Sequence, residues 1–166
     1  MILKILTYPD PKLKQKSTPV TNIDKDIQSL VDDLFETLYS DENNCGLAAP
    51  QVGKHHRITV IDTSEKRNKP LCLINPEILE SGGLFKGMEA CLSLPGAYEE
   101  IQRPEWVRFR ALDQNGQKYE LRADGLLAEC VQHEIDHLDG LLFIDRLSPL
   151  RRKRALARMK KYLQKK

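Results

Sequence analysis

The sequence predicts an α+β fold: mixed or antiparallel small sheets packed around a central helix, with further helices towards the N- and C-terminal ends. Three observations lead there. Apolar residues recur at helical spacing near both ends of the chain, alternation of period two is confined to the middle, and no repeated strand–helix–strand pattern suggests a parallel sheet. With 166 residues, 40% apolar and 30% charged, the chain is long enough to bury a core without staples. Residues 1–166 read as one domain ending in a basic helix over 148–166, without internal repeats or low-complexity tracts.

Residues 24–39, DKDIQSLVDDLFETLY, place Ile27, Leu30, Val31, Leu34 and Leu38 on one stripe, as in an amphipathic helix. The following DENNCGLAAPQVGK is rich in small and turn residues and reads as irregular backbone. RITVID (57–62) and LCLINP (71–76) read as short strands, with Pro76 closing the second. In WVRFRALDQNGQKYELRA, Val107, Phe109 and Ala111 alternate with Arg108 and Arg110. Asn115-Gly116 then supplies a hairpin turn. Asp124 is placed to cap a helix running through HEIDH, and Gly140 to stop it. Ser148-Pro149 opens the last helix, whose apolar stripe is Leu156, Met159 and Leu163.

The N-terminus MILKILTYPD lacks the basic and apolar blocks of a signal peptide. No apolar run approaches the ~20 residues that span a bilayer, so a cytoplasmic protein is expected, with no membrane partner. Cys45, Cys72, Cys91 and Cys130 are accordingly expected as free thiols. The formal net charge of +2 conceals a split. Nine of the 26 Lys and Arg fall in 151–166, where there is no Asp or Glu, while 17 face 24 acidic residues over 1–150. A docking helix with a solvated face accounts for this tail, and so does attraction to a polyanion.

His133 and His137 stand at i and i+4, so both imidazoles project from one helical face and can bind one ion. Glu134 is placed to reach water rather than the metal. A catalytic site of this type takes three protein ligands. Asp139 points away from the ligand face and Asp145 lies beyond the helix stop, so the third ligand comes from upstream. His55 and His56 read as solvated loop residues. Cys130 lies on the same helix at an awkward angle for a third ligand. Cys91, between a glycine-rich turn and Pro-Gly, is the favoured candidate, and spacing decides no further.

Three segments in order, NCGLAAPQ (44–51), EACLS (89–93) and HEIDH (133–137), resemble the motifs G-x-G-L-A-A-x-Q, E-G-C-L-S and H-E-x-D-H of the peptide deformylases. The likeness extends from LTYPDPKLKQKSTPV to GLLFIDRLSPL. It implies removal of formyl from N-formylmethionyl nascent peptides, with Cys91, His133 and His137 as metal ligands and Glu134 as general base. Gln51 and the Leu92 N–H would form the oxyanion hole. Cys45, Gly46, Ala90, Leu126, Glu129 and Cys130 would bound the substrate site, with Glu129 itself expected to face solvent. Glu89 and Asp136 would orient the ligand imidazoles, and Arg103 would pair with one of them. The resemblance further implies Fe2+, with Zn2+, Ni2+ or Co2+ able to replace it, a monomer, and ribosome contact through the basic helix, with no specific DNA. Asn44 and Ala90 replace motif glycines, where positive φ and close substrate approach are at stake; retained activity is expected, with any reduction left open. A zinc endopeptidase and a catalytically impaired formyl-peptide-binding or ribosome-associated relative are the alternatives.

Overall fold

The computed structural model describes residues 1–165; Lys166 lies outside them. The elements are α1 (Lys25–Tyr39), β1 (Gly46–Ala48), β2 (Ile58–Ile61), β3 (Leu71–Gly82), β4 (Phe85–Ala90), β5 (Tyr98–Arg103), β6 (Trp106–Leu112), β7 (Lys118–Asp124), α2 (Gly125–Leu138) and α3 (Pro149–Gln164). Five strands form an antiparallel sheet in the order β1-β2-β3-β6-β7, and β4 pairs separately with β5. This is the expected α+β architecture.

α1 starts where the Asp24 carboxylate accepts the Ile27 N–H at 2.9 Å. Its stripe of Ile27, Val31, Leu34 and Leu38 is buried against β1 and β2. In the β6–β7 hairpin Val107, Phe109 and Ala111 point into the core, while Arg108 and Arg110 reach outward to Glu80, Glu120 and Glu77. The turn is longer than a two-residue Asn-Gly hairpin. Asp113 N–H bonds the Gln117 carbonyl, the Asp113 carboxylate accepts the Asn115 and Gln117 N–H groups, and Gly116 takes φ +80.

Pro76 does not close β3, which runs on to Gly82. The register with β6 shifts between Ile74 and Glu77, so the missing proline N–H falls at a bulge where no ladder bond is required. Asn75 takes φ +51 there, and its side-chain amide both accepts the Val20 N–H and donates to the Val20 carbonyl, each at 2.8 Å. The stretch read as irregular contains β1, whose three residues are all buried.

From Ala128 to Leu138 every residue of α2 is buried, and the helix packs against β1, β2, β6 and β7. Asp124 occupies the N-cap position, but its carboxylate faces Arg122 at 3.5 Å and caps nothing. Gly140 ends the helix as expected, at φ +77. α3 begins at Ser148, whose hydroxyl accepts the Arg151 N–H. It docks through Ala155 and Met159 with Leu156 partly covered; Leu163, expected on the apolar stripe, is exposed because the helix has run past the core by then.

A methyl group at Gly140 would stand 2.4 Å from the Lys14 carbonyl oxygen, on a backbone conformation that L residues avoid. Gly140→Ala is therefore expected to destabilise the fold by about 1–3 kcal/mol, read as a lower urea midpoint with an unchanged slope.

Candidate active site

A helix buried on all sides is ordinarily apolar. α2 instead buries Glu129, Gln132, His133, Glu134, Asp136 and His137. Buried polar groups need partners, and those partners build the site.

His133 Nε2 and His137 Nε2 lie 3.3 Å apart, and Cys91 Sγ, in the turn after β4, is 3.4 Å from His137 Nε2. One donor atom from each of the three residues falls within 4.8 Å of the others. Bonds of about 2.0–2.1 Å to nitrogen and 2.3 Å to sulfur, arranged tetrahedrally, place donor atoms roughly 3.3–3.7 Å apart. The cluster therefore fits a single metal ion. Cys130, the other sulfur considered, points elsewhere: its Sγ lies 3.1 Å from Cys45 Sγ, and the hydrogen bond between the two sulfurs holds Cys45 below the ordinary thiol range. Asp139 pairs with Arg57, and Asp145 with Arg152. His55 and His56 are half-buried rather than solvated, and the His55 ring is 2.9 Å from the Lys12 carbonyl.

Behind the imidazoles runs a buried ion network. Glu89 Oε1 is 2.8 Å from His133 Nδ1, which turns Nε2 of that ring towards Cys91 and His137. Arg103 Nε and Nη2 donate to both Glu89 oxygens at 2.5 and 2.9 Å, and Nη1 donates to Asp136 at 3.0 Å. Arg146 grips Asp136 from the other side at 2.6 and 2.7 Å. Arg103 thus pairs with both acids, not one. The expectation that Asp136 orients an imidazole is corrected, since its oxygens are taken by two guanidinium groups. Burial opposes charge on Glu89, but hydrogen bonds from Arg103 and His133 bring its carboxyl down to about 2.

Glu134 stands apart from this satisfied network. Its side chain is buried, and Oε1 has no hydrogen-bond partner among the described residues. Burial lifts its carboxyl to about 7. Room for it comes from Gly46, where a Cβ would lie 2.6 Å from Glu134 Oε2. Gln51 is equally buried and has a fixed orientation. Its Oε1 accepts the Ala48 N–H at 2.9 Å, leaving Nε2 aimed at Ser93 Oγ (3.1 Å) and Cys91 Sγ (3.4 Å). Ser93, which sequence reading passed over, thereby helps to set the Gln51 amide.

These groups open into a recess of about 210 Å³ that also reaches Leu92, Ala90, Leu126, Cys45 and Cys130. β4 borders it with an unpaired edge, since β5 occupies only its other side. Glu129 lines this recess and does not face solvent, correcting that expectation. It is 9% exposed, and Gly87 makes room for it, a Cβ there falling 2.2 Å from Glu129 Oε2. Leu126 is exposed at the rim. Neither Asn44 nor Ala90 has a positive φ, so neither substitution strains the backbone, and Asn44 Nδ2 donates to the Gly46 carbonyl at 2.7 Å. Met88 and Asn43 also line the recess; neither carries a sequence signal beyond its closeness to a motif.

Comparison with known proteins supplies independent findings. The family model described as polypeptide deformylase matches residues 2–153. A peptide deformylase of Alkalilimnicola ehrlichii is 53% identical over 161 residues, covering 96% of this chain and 90% of that protein. The crystal structure of a peptide deformylase from Legionella pneumophila superposes with a TM-score of 0.94 at 44% identity, covering 99% of this chain and 96% of that one. The peptide deformylase of Ehrlichia chaffeensis, solved in complex with actinonin, gives 0.90 at 41%, with 96% of each chain covered.

The Glu89–His133 contact predicts a measurable effect on metal binding. Glu89→Gln is expected to weaken metal affinity by about 10–100-fold, read by competition with a coloured chelator. Unaltered affinity would show that this carboxylate does not set the imidazole.

Proposed function

We infer the working of this site from one premise: the chain belongs to the polypeptide deformylase family, metal-dependent hydrolases that take the formyl group from the N-terminal formylmethionine of nascent proteins. Cys91, His133 and His137 would hold the metal, and the spacing of their donor atoms supports that assignment. When bound, the ion supplies Lewis acidity towards water and the formyl oxygen. We propose Fe2+ for it, as the family resemblance implies; Zn2+, Ni2+ or Co2+ can take the same thiolate and two imidazoles.

Glu134 accepts a proton from the water that attacks the formyl carbon and delivers it to the departing amine. The observation that carries this reading is its buried, unpartnered Oε1. An oxygen left without a partner at the face of the cluster is available to a proton in transit. Gln51 Nε2 and the Leu92 N–H donate to the oxygen on which charge grows, and the Ala48 N–H keeps the Gln51 amide from rotating away. The methionine side chain enters the recess between Cys45, Leu126, Glu129 and Cys130, with Gly46 close to Cys130 and Glu134. The peptide extends along the free edge of β4, where Ala90 offers its carbonyl to a substrate N–H. The endopeptidase reading loses ground because Asp139 and Asp145 are engaged by arginines. The impaired-relative reading loses ground because Asn44 and Ala90 sit on unstrained backbone.

We propose in addition that the protein works in the cytoplasm beside the ribosome. No helix among the described residues is long and apolar enough to cross a membrane. In α3, Arg154 and Arg158 are engaged with Glu99, and Arg152 with Asp145. Arg151, Lys153, Lys160 and Lys161 are exposed, with no ion pair among the described residues, and suit a polyanion such as ribosomal RNA.

Formate release from formyl-Met-Ala-Ser by protein loaded anaerobically with Fe2+ tests the reaction. Glu134→Ala is expected to lower turnover by about 10²–10⁴-fold, and Gln51→Ala by about 10²–10³-fold. An equally active Glu134→Ala would remove the assigned base. For the tail, changing Arg151, Lys153, Lys160 and Lys161 together to Gln is expected to abolish co-sedimentation with ribosomes at low salt. Tail-independent or salt-insensitive binding would sink that assignment.

A further inference from the structure

Two of the four cysteines meet at the wall of the recess. Cys45 immediately precedes β1, Cys130 sits on α2, and their sulfurs are 3.1 Å apart although 85 residues separate them in sequence. Both are free thiols. A disulfide bond is about 2.05 Å long, so closing it requires an approach of only about 1 Å. Cys45 is half-exposed and lines the recess, which gives a small oxidant access to the pair. Cys72, the remaining thiol away from the cluster, packs in the core beneath α1.

From this juxtaposition we propose that Cys45 and Cys130 form a reversible modification site, at which a peroxide converts the thiol pair to a disulfide and thereby closes the substrate recess. The effect on substrate rests on the deformylase reading above; the covalent step does not. Cys45 sulfur attacks one peroxide oxygen. An S–O bond forms, the O–O bond breaks, and the departing hydroxide takes the thiol proton to leave as water. Cys130 sulfur then attacks Cys45 sulfur. The S–S bond forms, the S–O bond breaks, and the hydroxyl leaves with the Cys130 proton as a second water. The two sulfurs lose two electrons in total, and one peroxide is reduced to two waters. A dithiol reductant reverses the change by thiol–disulfide exchange.

The consequence for the site follows from Gly46. The next residue after Cys45 already lies so close to α2 that a Cβ would fall 2.6 Å from Glu134 Oε2 and 2.9 Å from Cys130 Sγ. Drawing Cys45 towards Cys130 presses the Gly46 backbone against the Glu134 carboxylate and narrows the wall meant for methionine. Misplacement by about 1 Å near reacting groups is worth up to about 10²-fold in rate.

The test uses the full chain loaded with Zn2+ or Ni2+, so that iron oxidation plays no part, and treated with hydrogen peroxide. The expected product is lighter by two hydrogens, has two fewer free thiols when unfolded, and yields a proteolytic peptide joining Cys45 to Cys130. Its kcat/KM for formyl-Met-Ala-Ser is expected to fall about 10–100-fold and to recover with dithiothreitol. Cys45→Ser and Cys130→Ser should each abolish the joined peptide and the reversible loss. Oxidation confined to Cys91, with Cys45 and Cys130 still open to alkylation, overturns the proposal. So does a homogeneous Cys45–Cys130 disulfide with unchanged kcat/KM. Untreated protein that releases no formate would instead refute the deformylase reading, while the peptide map still decides the covalent step.

Discussion

A helix that buries polar side chains on several faces needs partners for them, and around α2 the central partner is Arg103. This guanidinium comes from β5, grips Glu89 on the neighbouring strand β4, and reaches Asp136 on α2. Glu89 in turn meets His133. One side chain therefore joins the two-stranded sheet to the helix and, through Glu89, sets the angle of the His133 imidazole. Taking such charges out of water is expensive, and their mutual attraction returns little net stability. Removing Arg103 alone would leave Glu89 without its guanidinium, while Asp136 would keep Arg146; losing one partner of a buried pair is typically worth about 3–5 kcal/mol. An apolar replacement of the whole network could pack as well, but His133 Nδ1 would then lose the acceptor that orients it.

The contrast with Glu134 separates structure from reactivity. Both glutamates are buried within a few ångströms of the histidines, yet one has a guanidinium and an imidazole while the other has an unpartnered oxygen. A group left in that condition destabilises the folded chain, commonly by about 1–3 kcal/mol. Its persistence is understandable if the oxygen has to be free during the reaction. Gly46 belongs to the same design, because any side chain there would take the space the carboxylate occupies.

The sequence was legible where its period coincided with burial. In α1 and in the β6–β7 hairpin, apolar residues mark the buried face and polar ones the outside, and both elements lie where spacing placed them. β5 defeats the same rule. Its inward positions are Glu99, Ile101 and Arg103, so two of the three buried side chains are charged and the alternation is invisible to hydropathy. Glu99 is held by Arg154 and Arg158, and Arg103 by Glu89 and Asp136, all distant in sequence. Glu129 was misread for a related reason: its room is made by Gly87 on another element, which spacing along α2 cannot reveal. β3 outran its proline because a bulge removed the need for that N–H.

The choice of third ligand has consequences beyond the metal. A downstream helical carboxylate, as in the peptidases that share the H-E-x-x-H pattern, would bring only another helix to the ion. Cys91 instead lies at the end of an edge strand, with Ala90 before it and Leu92 after it, all three bordering the recess. In the proposed mechanism these successive residues accept a substrate N–H, hold the metal and donate to the oxyanion. Neighbouring Cα atoms are held about 3.8 Å apart by the covalent chain, so the spacing between metal, oxyanion and peptide backbone in that mechanism is confined to a few bonds. A formyl group has only a hydrogen where a longer acyl chain continues. Holding it requires that short, rigid ruler more than it requires a deep pocket on the acyl side. The recess extends towards Cys45, Glu129 and Cys130, where the proposed mechanism seats the methionine.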